Sequence, residues 1–122
     1  MKTKVLKVAI APRETIVRYT RDIVAGRRRR TADEPDIWFT SLESFAKVLS
    51  DRNRALLALI ATQEPASIDA LATVSGRAKS NLSRTLRTME KYGLVTFKKG
   101  EGRKLRAVVT FGRVELSLKV AA

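Results

Sequence analysis

The chain has 122 residues, which suits one domain, and 44% of them are apolar, enough to fill a core between layers of secondary structure. Its formal net charge is +13, more than solubility requires, which points to a polyanionic partner, nucleic acid ahead of a membrane surface or an acidic protein. The absence of Cys and His excludes disulfides, thiolate chemistry, zinc fingers and His-based acid–base catalysis, and it fits a reducing, cytoplasmic setting.

The opening "MKTKVLKVAIAPRE" has an apolar piece broken by Lys7, which makes a poor signal peptide. No apolar run nears the roughly 20 residues needed to cross a bilayer, so no membrane partner is expected. Residues 4–10 predict a strand, with Leu6, Val8 and Ile10 alternating against Lys7 and Ala9. A helix is expected over about 12–25. Pro12 suits its first position, Ile16, Tyr19 and Ile23 share a face, and Gly26 stops it. Arg27 to Arg30 follow. They read either as a solvated loop with favourable charge at a helix C-terminus or as a phosphate-contacting patch. The acids Asp33, Glu34 and Asp36 come next and can partly neutralise them. They read as a solvated loop rather than a metal site.

"DIWF" (Asp36 to Phe39) is expected to be extended. Thr40, with Glu43 three residues on, has the spacing of a capping box, and Leu42, Phe45, Val48 and Leu49 continue at helical spacing. Ser50 or Asp51 can cap the next helix, whose core face is Leu56, Leu57, Leu59 and Ile60 and which must stop near Glu64, before Pro65. Ser67 starts a short helix with Ile68, Leu71 and Ala72 pointing inward.

"GRAKSNLSRTLRTMEKYGLV" (Gly76 to Val95) follows. Wound at 3.6 residues per turn, it puts Ala78, Leu82, Leu86 and Met89 toward the core. Ser80, Arg84, Arg87 and Lys91 form the opposite stripe, flanked by Arg77, Asn81 and Thr88. Hydroxyl, amide and guanidinium groups near the start suit base edges, and charges further on suit phosphates. Gly93 fits a C′ glycine. A hairpin should follow, with Val95 and Phe97 on one face of its first strand and Leu105, Ala107 and Val109 on one face of its second. "KGEG" (Lys99 to Gly102) forms its turn. From Arg77 to Arg106 there are ten Lys or Arg against two Glu. The end, "VELSLKV", alternates strictly and predicts a half-buried strand through Val114, Leu116, Leu118 and Val120.

A helix-turn-helix needs a small contact, a tight turn and an apolar anchor at fixed offsets. Ala72, Gly76 and Leu82 supply them in that order. With these pieces in view, "SNLSRTLRTMEKYGLV" resembles the recognition helix of MarR-like transcriptional regulators, and the likeness extends over roughly residues 41–110. The resemblance implies an α+β winged helix-turn-helix. Residues 40–110 would be the DNA-binding domain. Outside the likeness, the half-apolar terminal strands and the 12–25 helix are expected to build a dimer interface, with 1–39 a dimerising strand-helix extension and 111–122 a strand pairing with the first strand or with a second chain. The resemblance also implies a recognition helix at about 78–92 in the major groove, with Ser80, Asn81, Ser83 and Arg84 reading bases. Phosphate contacts would fall to Arg77, Lys79, Arg87, Lys91, Lys98, Lys99 and Lys104, and to Arg103 at the tip of a wing over about 98–104. The long C-terminal helix of such regulators is missing, so ligand sensing is not carried over.

The expected function is that of a DNA-binding repressor, homodimeric and cytoplasmic, with no cofactor, metal or catalytic residue. The alternative is an antitoxin that grips a toxin through its terminal strands and autoregulates its operon. Single-stranded or RNA binding is disfavoured, because the few aromatics form no stacking cluster.

Overall fold

The computed structural model describes residues 4–100 and 102–120; residues 1–3, 121–122 and Glu101 of the expected turn lie outside the described residues. It opens with a strand–helix–strand unit: β1 (Val5–Ile10), α1 (Arg13–Val24) and β2 (Ile37–Phe39). Four helices follow: α2 (Leu42–Val48), α3 (Asp51–Gln63), α4 (Ile68–Ser75) and α5 (Lys79–Lys91). The hairpin β3 (Thr96–Lys99) and β4 (Leu105–Val108) then leads to β5 (Arg113–Ser117). The architecture is α+β, with two separate sheets. One is three-stranded in the order β2-β1-β5, with β1 parallel to both neighbours; the other is the antiparallel pair β3-β4.

Three of the helix starts are capped by a serine side chain. Ser41, Ser50 and Ser67 are extended, and each accepts a hydrogen bond from the backbone N–H three residues on, at 3.0, 3.2 and 3.0 Å. Such caps stabilise a helix by about 1 kcal/mol each. The cap of α2 is therefore Ser41, not Thr40. Thr40 stands one residue too early, so Ser44 rather than Glu43 occupies the third helical position. Pro12 likewise is the N-cap of α1, not its first helical residue. At the far end of α3, Glu64 turns left-handed (φ 47°) immediately before Pro65, which cannot follow a right-handed helical residue comfortably. α5 ends in a Schellman motif. Gly93 (φ 80°) donates to Glu90 and Leu94 donates to Met89, which satisfies two terminal carbonyls.

One core unites the layers. Leu6 and Val8 of β1 and Ile37 and Phe39 of β2 pack toward Leu56, Leu57 and Ile60 of α3, Leu71 of α4, and Leu82, Leu86 and Met89 of α5. The last three are fully buried, and burial of such side chains contributes about 1.5–3 kcal/mol each. Phe39 stacks on Tyr92 with ring centroids 4.3 Å apart, tying the end of α5 to the three-stranded sheet. Trp38 alternates with buried Ile37 and Phe39, so it faces the other side of that sheet, where it meets Tyr19 of α1 at 5.3 Å. α1 buries none of its residues completely; Ile16, Tyr19 and Ile23 are half-buried.

Four expectations shift. Leu59 is only half-buried. Ala78 is exposed because it is the N-cap of α5, just outside the helical spiral that carries the core face. Leu105, beside the hairpin's turn, is 50% exposed. The last strand stops at Ser117, with Leu118 49% exposed and Val120 fully exposed. The cause is the neighbour. β5 is matched from Val5↔Arg113 to Ala9↔Ser117, and β1 then runs out at Ile10 before turning into α1. No helix among the described residues is long and apolar enough to cross a membrane.

Candidate nucleic-acid interface

α4 ends at Gly76 (φ 71°), whose N–H bonds the Ala72 carbonyl at 3.0 Å, and α5 starts after Ala78. Ala72 is half-buried and Leu82 fully buried. With Leu82, Leu86 and Met89 fixed inward, the helical period turns Ser80, Arg84, Arg87 and Lys91 outward. All four are exposed, and with Ser83 and Thr88 they line one shallow groove. Arg84, Arg87 and Lys91 have no ion-pair partner among the described residues.

The flanking residues are held differently. The Arg77 guanidinium donates to the Asn81 side-chain oxygen (2.8 and 3.1 Å), to Asn53 of α3 (3.3 Å) and to the Thr85 hydroxyl (3.2 Å). Burial, and then the charge of nearby Arg52, lowers its pKa. Arg77 thus locks the turn onto α3 and α5, and it occupies the acceptor of Asn81 while leaving that amide's NH2 group for an outside acceptor.

Lys79 stands in the first turn of α5, where a cation opposes the helix dipole. Asp69, in the first turn of α4, offsets this at 2.8 Å and also reaches Lys104 of the hairpin at 3.6 Å. The hydrogen bond and charge of Lys79, with a smaller contribution from Lys104, hold the Asp69 carboxyl below its ordinary pKa. One carboxylate therefore joins the start of α5 to the hairpin.

The hairpin is cationic by construction. Lys98 lies directly across from Arg106, and like charges so placed destabilise a strand pair. A polyanion would relieve that repulsion. Lys98, Lys99 and Arg103 are exposed and have no ion-pair partner among the described residues. The hairpin's turn is fixed by Gly100. Its N–H bonds the Lys104 carbonyl at 2.7 Å, and a Cβ there would overlap the Ala66 carbonyl oxygen of the α3–α4 loop.

The arginine run after α1 is largely engaged within the chain. Arg27 pairs with Asp22 (3.1 Å), Arg28 pairs with Glu34 (2.6 Å) and lies over the Tyr19 ring, and Arg30 pairs with Asp36. Tyr19 also donates to Glu34. That bond and the Arg28 pair lower the Glu34 pKa. Asp33 pairs with Lys7 at 3.9 Å. The three acids are thus counter-ions of separate cations.

Sequence reasoning did not single out Arg52, Asn53 or Asp69. The first two reach Arg77 only because α3 and the turn meet in space, 24 residues apart at the Asn53 bond. Asp69 had a local signal, as the acid in the first turn of a short helix beside a cationic segment.

These features define a small α+β protein with an outward cationic helix face next to a cationic hairpin. The HVO_A0114 family profile matches residues 48–116, and the chain belongs to that family. Comparison with curated proteins and with solved structures gives no match.

Proposed function

We propose that this protein is a sequence-specific, double-stranded DNA-binding regulator of the MarR-like winged helix-turn-helix type, acting in the cytoplasm as a repressor. α4 supports, α5 enters the major groove, and the β3–β4 hairpin is the wing on the backbone or minor groove. The observation that carries this reading is the exposed stripe Ser80, Arg84, Arg87 and Lys91, which has no counter-ion among the described residues and lies along a helix whose opposite side chains Leu82, Leu86 and Met89 are fully buried. Ser80, Ser83 and Arg84, with the free amide of Asn81, read base edges. Arg87, Lys91, Lys98, Lys99 and Arg103 take phosphates, while Arg77, Lys79 and Lys104 act first as positioning residues through their internal partners.

Selection of bound sequences from random duplex DNA tests the reading, run in parallel on the wild type and Arg84→Ala. The wild type should enrich a defined site. The variant should lose about 1–3 kcal/mol on that site and relax preference at the base pair it contacts. No enriched motif, or an unchanged motif and affinity in the variant, overturns the assignment.

A further inference from the structure

The segment from Val114 to Val120 reads V-E-L-S-L-K-V, a palindrome in residue size and an inverted one in charge. Turned antiparallel on itself about Ser117, it places Val114 across from Val120, Glu115 from Lys119, Leu116 from Leu118 and Ser117 from Ser117. Every pair is matched, apolar with apolar and acid with base, and such cross-strand pairs are the unit of sheet stability. A centre one residue earlier puts Arg113 across from Lys119, and a centre two earlier sets Glu115 across from itself.

The structure leaves this segment ready for such a partner. β5 is the edge of its sheet, bonded to β1 on one side only. Its strand geometry stops at Ser117, leaving Leu118 49% and Val120 fully exposed although the alternation runs on. Half-buried Val114 and Leu116 line a groove of about 570 Å³ with Phe45 of α2 and with Leu49. In the Ser117-centred pairing, Leu118 and Val120 of a second copy fall on the face of Val114 and Leu116 and cover that groove.

We infer that two copies of this chain associate through β5. Residues 114–120 of each copy pair antiparallel about a two-fold axis at Ser117, giving a continuous six-stranded sheet of order β2-β1-β5-β5-β1-β2. An isologous two-fold contact of this kind closes on itself, so it protects the edge without generating fibres. The inference does not depend on DNA binding, and its failure would leave that reading intact.

Cross-linking tests the register, because the chain has no Cys of its own. Opposed residues in an antiparallel pair lie within disulfide reach. The full-length Ser117→Cys variant should oxidise to a covalent dimer. Glu115→Cys and Lys119→Cys should each stay uncross-linked alone and should link when mixed. Light-scattering mass should show a dimer for the wild type. Lys119→Glu should weaken it roughly tenfold, since two attractive pairs become repulsive, and Glu115→Lys/Lys119→Glu should restore it. Circular dichroism confirms that each variant is folded, and both positions are exposed. A monomeric mass for the wild type overturns the inference. So does a dimer that Ser117→Cys fails to link, or one that the double charge swap does not rescue.

Discussion

Lys79 and Lys104 share one carboxylate, that of Asp69, and this changes what each can do. A lysine held by an aspartate must exchange that partner to take a phosphate, whereas Lys99 has no ion-pair partner to give up among the described residues. The Asp69 pKa is depressed, so its stabilising contribution is complete above the ordinary aspartate range and is lost as pH falls through the folded-state value. The melting temperature of the wild type should therefore exceed that of Asp69→Asn by a steady, small margin near neutral pH, since exposed pairs are weak. That margin should close below about pH 4. A gap that persists in acid would mean that Asp69 acts through something other than its charge. The residue types of this surface were legible in the sequence, because the 3.6-residue period alone separates Leu82, Leu86 and Met89 from Arg84, Arg87 and Lys91. Their partners were not. Asn53 meets Arg77 across 24 residues of chain, and no local pattern encodes that bond.

Among the elements, the helices follow local signals closely, since a cap and an apolar period act within one or two turns. Ser67, Gly76 and Gly93 punctuate α4 and α5 where their chemistry predicts. The single-residue slip from Thr40 to Ser41 shows the limit: either hydroxyl could cap, and the extended backbone at Ser41 decides. The strands are less local. Alternation from Val114 to Val120 states what a strand would bury, but β1 supplies partners only as far as Ser117. The hairpin depends on a contact that sequence could not announce, the approach of Gly100 to the Ala66 carbonyl. Gly100→Ala should destabilise the protein by about 1–3 kcal/mol, the usual cost of forcing a group into packed structure. Denaturant unfolding would measure this. A neutral result would show that the hairpin moves freely relative to the α3–α4 loop. DNA affinity should fall with it, because the same contact aims Lys98, Lys99 and Arg103.

At the scale of the whole molecule, a net charge of +13 does not by itself specify an interface, since some of that charge is already matched internally. Arg27, Arg28 and Arg30 are paired on the α1 side of the sheet, and Arg77, Lys79 and Lys104 are engaged beside α5. Of the proposed phosphate contacts, this leaves five cations without an ion-pair partner among the described residues: Arg87, Lys91, Lys98, Lys99 and Arg103. Each phosphate neutralised on duplex DNA contributes about −0.9 to the slope of log affinity against log salt, so one copy should show a slope of about −4.5. Two copies on a palindrome should show about −9. Lys99→Ala should make the slope shallower by about 1 per copy on any sequence, because it removes a phosphate contact and no base contact. Asp69→Asn should act in the opposite direction. It releases Lys79 and Lys104, steepens the slope by up to about 2 per copy, and raises affinity for random DNA more than for the selected site. Titrations across a salt series on both DNAs would measure all of these. A slope near zero would remove phosphate neutralisation from the account of this surface, and an unchanged slope in Asp69→Asn would show that its two lysines do not face DNA.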